Sequence, residues 1–180
     1  MAVLEILKYP DPALARPAAV VDRIDGEVAR TFGDLVETMY AAPGIGLAAP
    51  QVGIPRRLVV VDVNTENPGK DLLRLVNPVV AEAEGEIVWE EGCLSVFDFT
   101  APVKRAKRVL VRAWTPEEKE VEIEGEGLLA VALQHEIDHL DGKLFLDRIS
   151  RLKRDLYRRR LRKLLREGAS LQEKKAGWKI

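Results

Sequence analysis

Residues 127–142 read Gly-Leu-Leu-Ala-Val-Ala-Leu-Gln-His-Glu-Ile-Asp-His-Leu-Asp-Gly. Leu128, Val131, Ala132, His135, Glu136 and His139 recur at intervals of three and four, so the spacing predicts a helix with these side chains on one side. Gly142 can close it. Histidines four apart lie one turn apart on one face, where their rings can converge on a single ion. Glu136, between them, can reach a water as general base. The competing reading is an amphipathic helix with two satisfied histidines, but Glu136 and Asp138 are odd choices for a packed face.

The chain has only two histidines, so the protease pattern with a third histidine soon after the helix is excluded. A catalytic ion usually takes three protein ligands and keeps one position open. Two candidates remain for the third. Cys93, in Glu90-Glu91-Gly92-Cys93-Leu94-Ser95, is the better, because a thiolate binds such ions well. Glu167 is the alternative, although it sits in a basic helix. The stretch Gly44-Ile45-Gly46-Leu47-Ala48-Ala49-Pro50-Gln51 reads as a loop whose glycines permit close backbone approach. It lacks the Lys-Ser/Thr ending of a phosphate loop. An extended peptide could pair with its backbone, and Gln51 offers an amide donor to a developing oxyanion.

Outward from these segments, the pattern predicts an α+β fold: antiparallel or mixed sheets around a central metal-binding helix, with an N-terminal and a C-terminal helix. Asp25 to Ala42 should be the first helix, with Val28, Phe32, Leu35, Val36, Met39 and Tyr40 as its apolar stripe. Leu58 to Val63 reads as a buried strand, and Leu72 to Val80 as a second, interrupted near Asn77-Pro78. Short alternating runs over 79–124 predict several antiparallel strands. A last helix is expected from Ser150 to Glu167, with Leu152, Leu156, Leu161, Leu164 and Leu165 facing inward.

A length of 180 residues suits one domain with a real core. A single cysteine excludes an internal disulfide. The opening residues lack a basic stretch followed by a long apolar core, and apolar runs are too short to span a membrane, so a reducing cytoplasm is expected. Residues 148–180 hold 13 Lys/Arg against 3 Asp/Glu, while the rest of the chain is acidic. That asymmetry suggests an interaction surface, nucleic acid among the options; the plain alternative is a solvated helix packed on an acidic body.

Together, Gly44–Gln51, Glu91-Gly92-Cys93-Leu94-Ser95 and Gln134–His139 resemble the three signature motifs of peptide deformylase, in family order. The similarity runs over about residues 5–150, through Leu144-Phe145-Leu146-Asp147-Arg148. The resemblance implies removal of the N-formyl group from the N-terminal methionine of new polypeptides. It implies Cys93, His135 and His139 as ligands, Glu136 as acid/base, and Gln51 with the Leu94 backbone N–H as oxyanion hole. The implied cofactor is one divalent ion, natively Fe(II), with Zn, Ni or Co able to substitute. It further implies that Asp138 pairs with a basic residue, for which Arg105 is the candidate, and that Glu91 orients His135. Gly44, Ile45 and Gly46 would bind substrate. Leu128, Val131 and Ala132 are placed to wall a pocket for the methionine side chain, or to be plain core.

Where relatives commonly continue with proline after the cysteine motif, this chain has Phe97-Asp98-Phe99-Thr100, a segment that borders the pocket entrance in relatives. Residues 1–148 are expected to form the catalytic part and 149–180 a basic helix and tail of the same domain. A monomer is expected, with the basic helix as a ribosome contact. The rivals are a zinc endopeptidase using the same helix, and an RNA- or ribosome-binding protein with a vestigial metal site.

Overall fold

In the computed structural model, which describes residues 1–168, two sheets flank one buried helix. Helix α1 (Gly26–Ala41) starts where the Asp25 carboxylate accepts from the Glu27 and Val28 N–H groups, at 2.9 and 3.2 Å. Val28, Phe32, Leu35 and Met39 are fully buried along it, each worth about 1.5–3 kcal/mol of apolar burial. Val36 and Tyr40, the rest of the predicted stripe, are only partly buried.

Strand β1 (Gly46–Ala48) and β2 (Leu58–Val61) begin a five-stranded antiparallel sheet. It continues through β3 (Leu73–Glu84), β6 (Arg108–Trp114) and β7 (Glu120–Glu126), in the order β1-β2-β3-β6-β7. Strands β4 (Ile87–Cys93) and β5 (Val96–Arg105) form a separate hairpin. Helix α2 (Leu128–Leu140) lies between the two sheets, touching strands of both. Ala130, Ala132 and Leu133 join Val59, Val61, Val109 and Val111 in the larger core. Every other residue of β7 is an exposed glutamate, Glu120, Glu122, Glu124 and Glu126, so the strand that ends the sheet is acidic.

Two strand predictions change. Part of the Gly44–Gln51 loop is the strand β1, paired with Val59–Val61, and Ala49–Val52 is a 3-10 turn. The interruption expected near Asn77-Pro78 is present as a slip of register, but β3 extends past the predicted end at Val80. The register slips there between Val76 and Val79, and the strand runs on to Glu84. Asn77 takes φ 52°, and its amide exchanges two 2.9 Å bonds with the backbone of Val21. A side chain thus supplies hydrogen bonds at a position where proline cannot donate to the ladder.

Helix α3 (Arg151–Arg166), capped by Ser150, needs a larger correction. Leu152, Leu156 and Leu165 point to solvent, with 70, 54 and 42% of their surface exposed. Tyr157 and Leu161 are the buried pair, and Leu164 is half-buried. The cause lies in β5. Phe99 stacks on Tyr157 at 4.6 Å between ring centroids, Tyr157 Oη donates to the Phe97 carbonyl at 3.2 Å, and Arg160 pairs with the Asp98 carboxylate. These contacts turn the Tyr157–Leu161 face of the helix inward. The unusual segment Phe97–Thr100 is therefore the seat of α3. The basic stretch 169–180 lies outside the described residues.

Candidate metal centre

One ring nitrogen from each of His135 and His139 and the Cys93 sulfur lie within 4.8 Å of one another, all buried. Two elements make this possible. The i, i+4 spacing on α2 sets the imidazoles edge to face, with centroids 4.9 Å apart. The β4–β5 hairpin closes with Cys93 opposite Val96, so Leu94-Ser95 is a two-residue turn and the thiol stands at its mouth. Cys93 Sγ is 3.2 Å from His139 Nε2. A soft sulfur and two imidazoles with no lysine among them form a donor set that suits a divalent transition ion. Glu167 lies elsewhere, exposed on α3 and facing Lys163.

Glu136 is 1% exposed, and its Oε2 has no hydrogen-bond partner among the described residues. Burial pushes its carboxyl up to about 7. Gly46 lets it lie there: a Cβ on that residue would stand 2.8 Å from Glu136 Cδ. Burial, then the charge of His135, holds His139 well below the usual histidine range.

Behind the ligands runs a continuous ionic chain. His135 Nδ1 and Glu91 Oε2 are 2.9 Å apart. Arg105 holds Glu91 through both carboxylate oxygens, at 2.6 and 2.9 Å, and reaches Asp138 at 2.6 Å. Burial alone would raise the carboxyls of Glu91 and Asp138; hydrogen bonds and charge from their partners reverse this and leave both below the usual range. Fixing the outer nitrogen of His135 orients its inner one.

Gln51, 2% exposed, accepts from the Ala48 N–H at 2.9 Å. Its Nε2 lies 3.6 Å from Cys93 Sγ and 3.2 Å from Ser95 Oγ, so the amide donor and the Leu94 turn border the same thiol. Gly44 makes room for Leu94: a Cβ there would meet Leu94 Cδ1 at 2.9 Å. Ile45 is buried beside β1, and its carbonyl accepts from Asp62 N–H at 2.8 Å. Of the three presumed pocket residues, Ala132 belongs to the sheet-facing core and Leu128 packs against it half-buried, while Val131 is fully buried.

Three neighbours escaped the sequence reading. Arg148 clamps Asp138 through two 2.5 Å contacts. Phe145 stacks on His135 at 6.3 Å. Ser95, completely buried, meets the Gln51 amide. The sequence reading gives Asp138 one basic partner, Arg105, and nothing in the spacing points to Arg148 as a second.

Residues 3–155 match the family described as Polypeptide deformylase. The chain is 49% identical over 170 residues to a peptide deformylase of Syntrophobacter fumaroxidans, covering 94% of this chain and 100% of that one. It is 51% identical over 162 residues to one of Thermodesulfovibrio yellowstonii, covering 90 and 98%. Its fold is similar to the crystal structure of a peptide deformylase from Legionella pneumophila, with a TM-score of 0.86, 45% identity, and 93 and 98% of the two chains covered.

Proposed function

The chain belongs to the polypeptide deformylase family, and from that premise we propose that it hydrolyses the N-formyl group from the N-terminal methionine of new polypeptides, releasing formate. The observation that carries this reading is the buried convergence of Cys93, His135 and His139 beside the unpartnered carboxylate oxygen of Glu136. Cys93, His135 and His139 would hold one divalent ion, natively Fe(II), with Zn, Ni or Co as substitutes. When bound, such an ion supplies Lewis-acid polarisation and acidifies a water in its open position.

The chain's own residues do the rest. Glu136 takes a proton from the attacking water and later gives it to the leaving amine nitrogen. The same carboxyl thus serves first as base and then as acid. The Gln51 side-chain amide and the Leu94 N–H donate to the oxyanion that forms on the formyl oxygen. Strand β1 ends the five-stranded sheet, so an extended peptide can pair along Gly44, Ile45 and Gly46 and present its N-terminus to Glu136. Of the three residues considered for the methionine pocket, Val131, which is outside the sheet-facing core that takes Ala132 and Leu128, would line it. Glu91, Arg105 and Asp138 keep His135 in place.

Residues 1–148 carry this chemistry. The basic helix α3, with the segment to residue 180, serves as a salt-sensitive contact to ribosomal RNA, where nascent chains emerge. Among the described residues no helix is long and apolar enough to cross a membrane, and a cytoplasmic monomer fits this role.

The test is formate release from formyl-Met-Ala-Ser under anaerobic conditions, with metal content measured on the same sample. Stoichiometric metal without formate release refutes the reading. Cleavage of internal bonds in an unformylated peptide would point to an endopeptidase instead.

A further inference from the structure

Resting on the deformylase reading, we propose that Leu7-Lys8-Tyr9 is a positioning strap for the two oxyanion donors, with Lys8 as its charged anchor. Three consecutive residues each make one bond to the segments carrying those donors. Leu7 N–H donates to the Gln51 carbonyl at 2.8 Å, and Tyr9 N–H to the Ser95 carbonyl at 2.7 Å. Between them, Lys8 Nζ donates to the Leu94 carbonyl at 2.6 Å.

Gln51 and Leu94 come from distant parts of the chain, a 3-10 turn after β1 and the β4–β5 turn. Among the described residues their direct hydrogen bonds come from one side-chain group, Gln51 Nε2, which lies 3.2 Å from Ser95 Oγ and 3.6 Å from Cys93 Sγ. An oxyanion hole works only if both donors sit about 2.7–3.1 Å from the point where charge develops. The strap ties both donor segments to one short piece of backbone and so sets their separation. Two of its bonds are backbone bonds that any sequence could make. The third needs a long cationic side chain. A charge-assisted bond is roughly twice as strong as a neutral one, and it grips Leu94 from its carbonyl side. Lys8 is half-buried; its charge is felt by Cys93, but among the described residues its one side-chain hydrogen bond is to the Leu94 carbonyl, and unchanged metal content in the variants separates the two effects. It is a positioning residue, acting through Leu94.

The experiment compares the metal-loaded parent with Lys8→Met and Lys8→Arg on formyl-Met-Ala-Ser. Lys8→Met keeps the length and loses the charge. Its kcat should fall about tenfold, less than the hundredfold or more expected for removing a donor itself. KM, metal content and melting temperature should stay at the parent values. Lys8→Arg should recover most of the rate. A tetrahedral methionyl phosphonate should bind Lys8→Met about tenfold more weakly, while the product Met-Ala-Ser binds as before.

An unchanged kcat in Lys8→Met overturns the strap, as does a loss accounted for by lost metal or by a lower melting temperature. Lys8→Arg remaining as slow as Lys8→Met also overturns it. A metal-loaded parent that leaves the formyl peptide intact refutes the deformylase reading and the strap with it. A competent parent with an unaffected Lys8→Met refutes the strap alone.

Discussion

Along α2, ten of thirteen residues are buried, among them His135, Glu136, Asp138 and His139; along the sixteen residues of α3, only Tyr157 and Leu161 are. Both helices are rich in ionisable groups, so charge content does not decide which is hidden. Partners do. Asp138 on α2 meets two arginines, and His135 meets Glu91, which a third contact locks in place. Most cations of α3 face water, although Arg154 and Arg160 pair with Asp147 and Asp98, and pairs such as Arg151 with Asp155 are long and exposed. Removing one member of a buried set strands the others; removing an exposed charge strands nothing.

The sharpest way to break this contrast is Glu136→Gln. The substitution keeps shape and burial but abolishes the base, and turnover should fall by about 10³-fold or more. Metal analysis should still find the ion at parent stoichiometry, and full activity in a loaded variant would remove Glu136 from the mechanism. Next, Arg105→Met leaves Glu91 and Asp138 buried without their shared cation. Denaturant unfolding should show a loss of about 3–5 kcal/mol, and a loss below about 1 kcal/mol would mean that the ionic chain is no tighter than a surface pair.

On α3 the effects should be milder. Truncation after Arg148 should abolish co-sedimentation with ribosomes at low salt while formyl-peptide turnover persists, because the helix contributes no ligand. Unchanged sedimentation would make α3 a charged cover for Phe99 and Phe145. Smallest of all, Leu152→Ser with Leu156→Ser should change stability by less than about 0.5 kcal/mol. Thermal melting checks it, and a loss of several kcal/mol would restore the inward-facing leucines that the sequence suggested.

That last pair shows where sequence reading stops. Helix α2 was legible because its period and its ligands coincide: the same i, i+4 rule that packs a helix also pairs two imidazoles. Cys93 was legible by residue type and by its place among the family's motifs. On spacing alone Glu167 stayed open, and only the hairpin that folds β4 onto β5 brings the thiol to the histidines. The seating of α3 was not legible. Its leucines are spread around the helix, and the choice among faces is made by Phe99, on a strand distant in sequence. Strand β1 was hidden for a related reason. A Gly-rich stretch looks like a loop until β2 pairs with it and Glu136 fills the space that glycine leaves.

The sheet's far boundary has a consequence for the molecule in a crowd. β1 ends the sheet on one side; on the other, β7 also has an edge no strand of its own sheet covers. Such an edge invites another chain to add itself. Here Glu120, Glu122, Glu124 and Glu126 stand along it. A second copy arriving edge to edge would bring an identical row of carboxylates against this one, offset only in part by Arg112 at Glu122 and Lys107 at Glu126. The remaining like charge weighs against growth of the sheet from that rim.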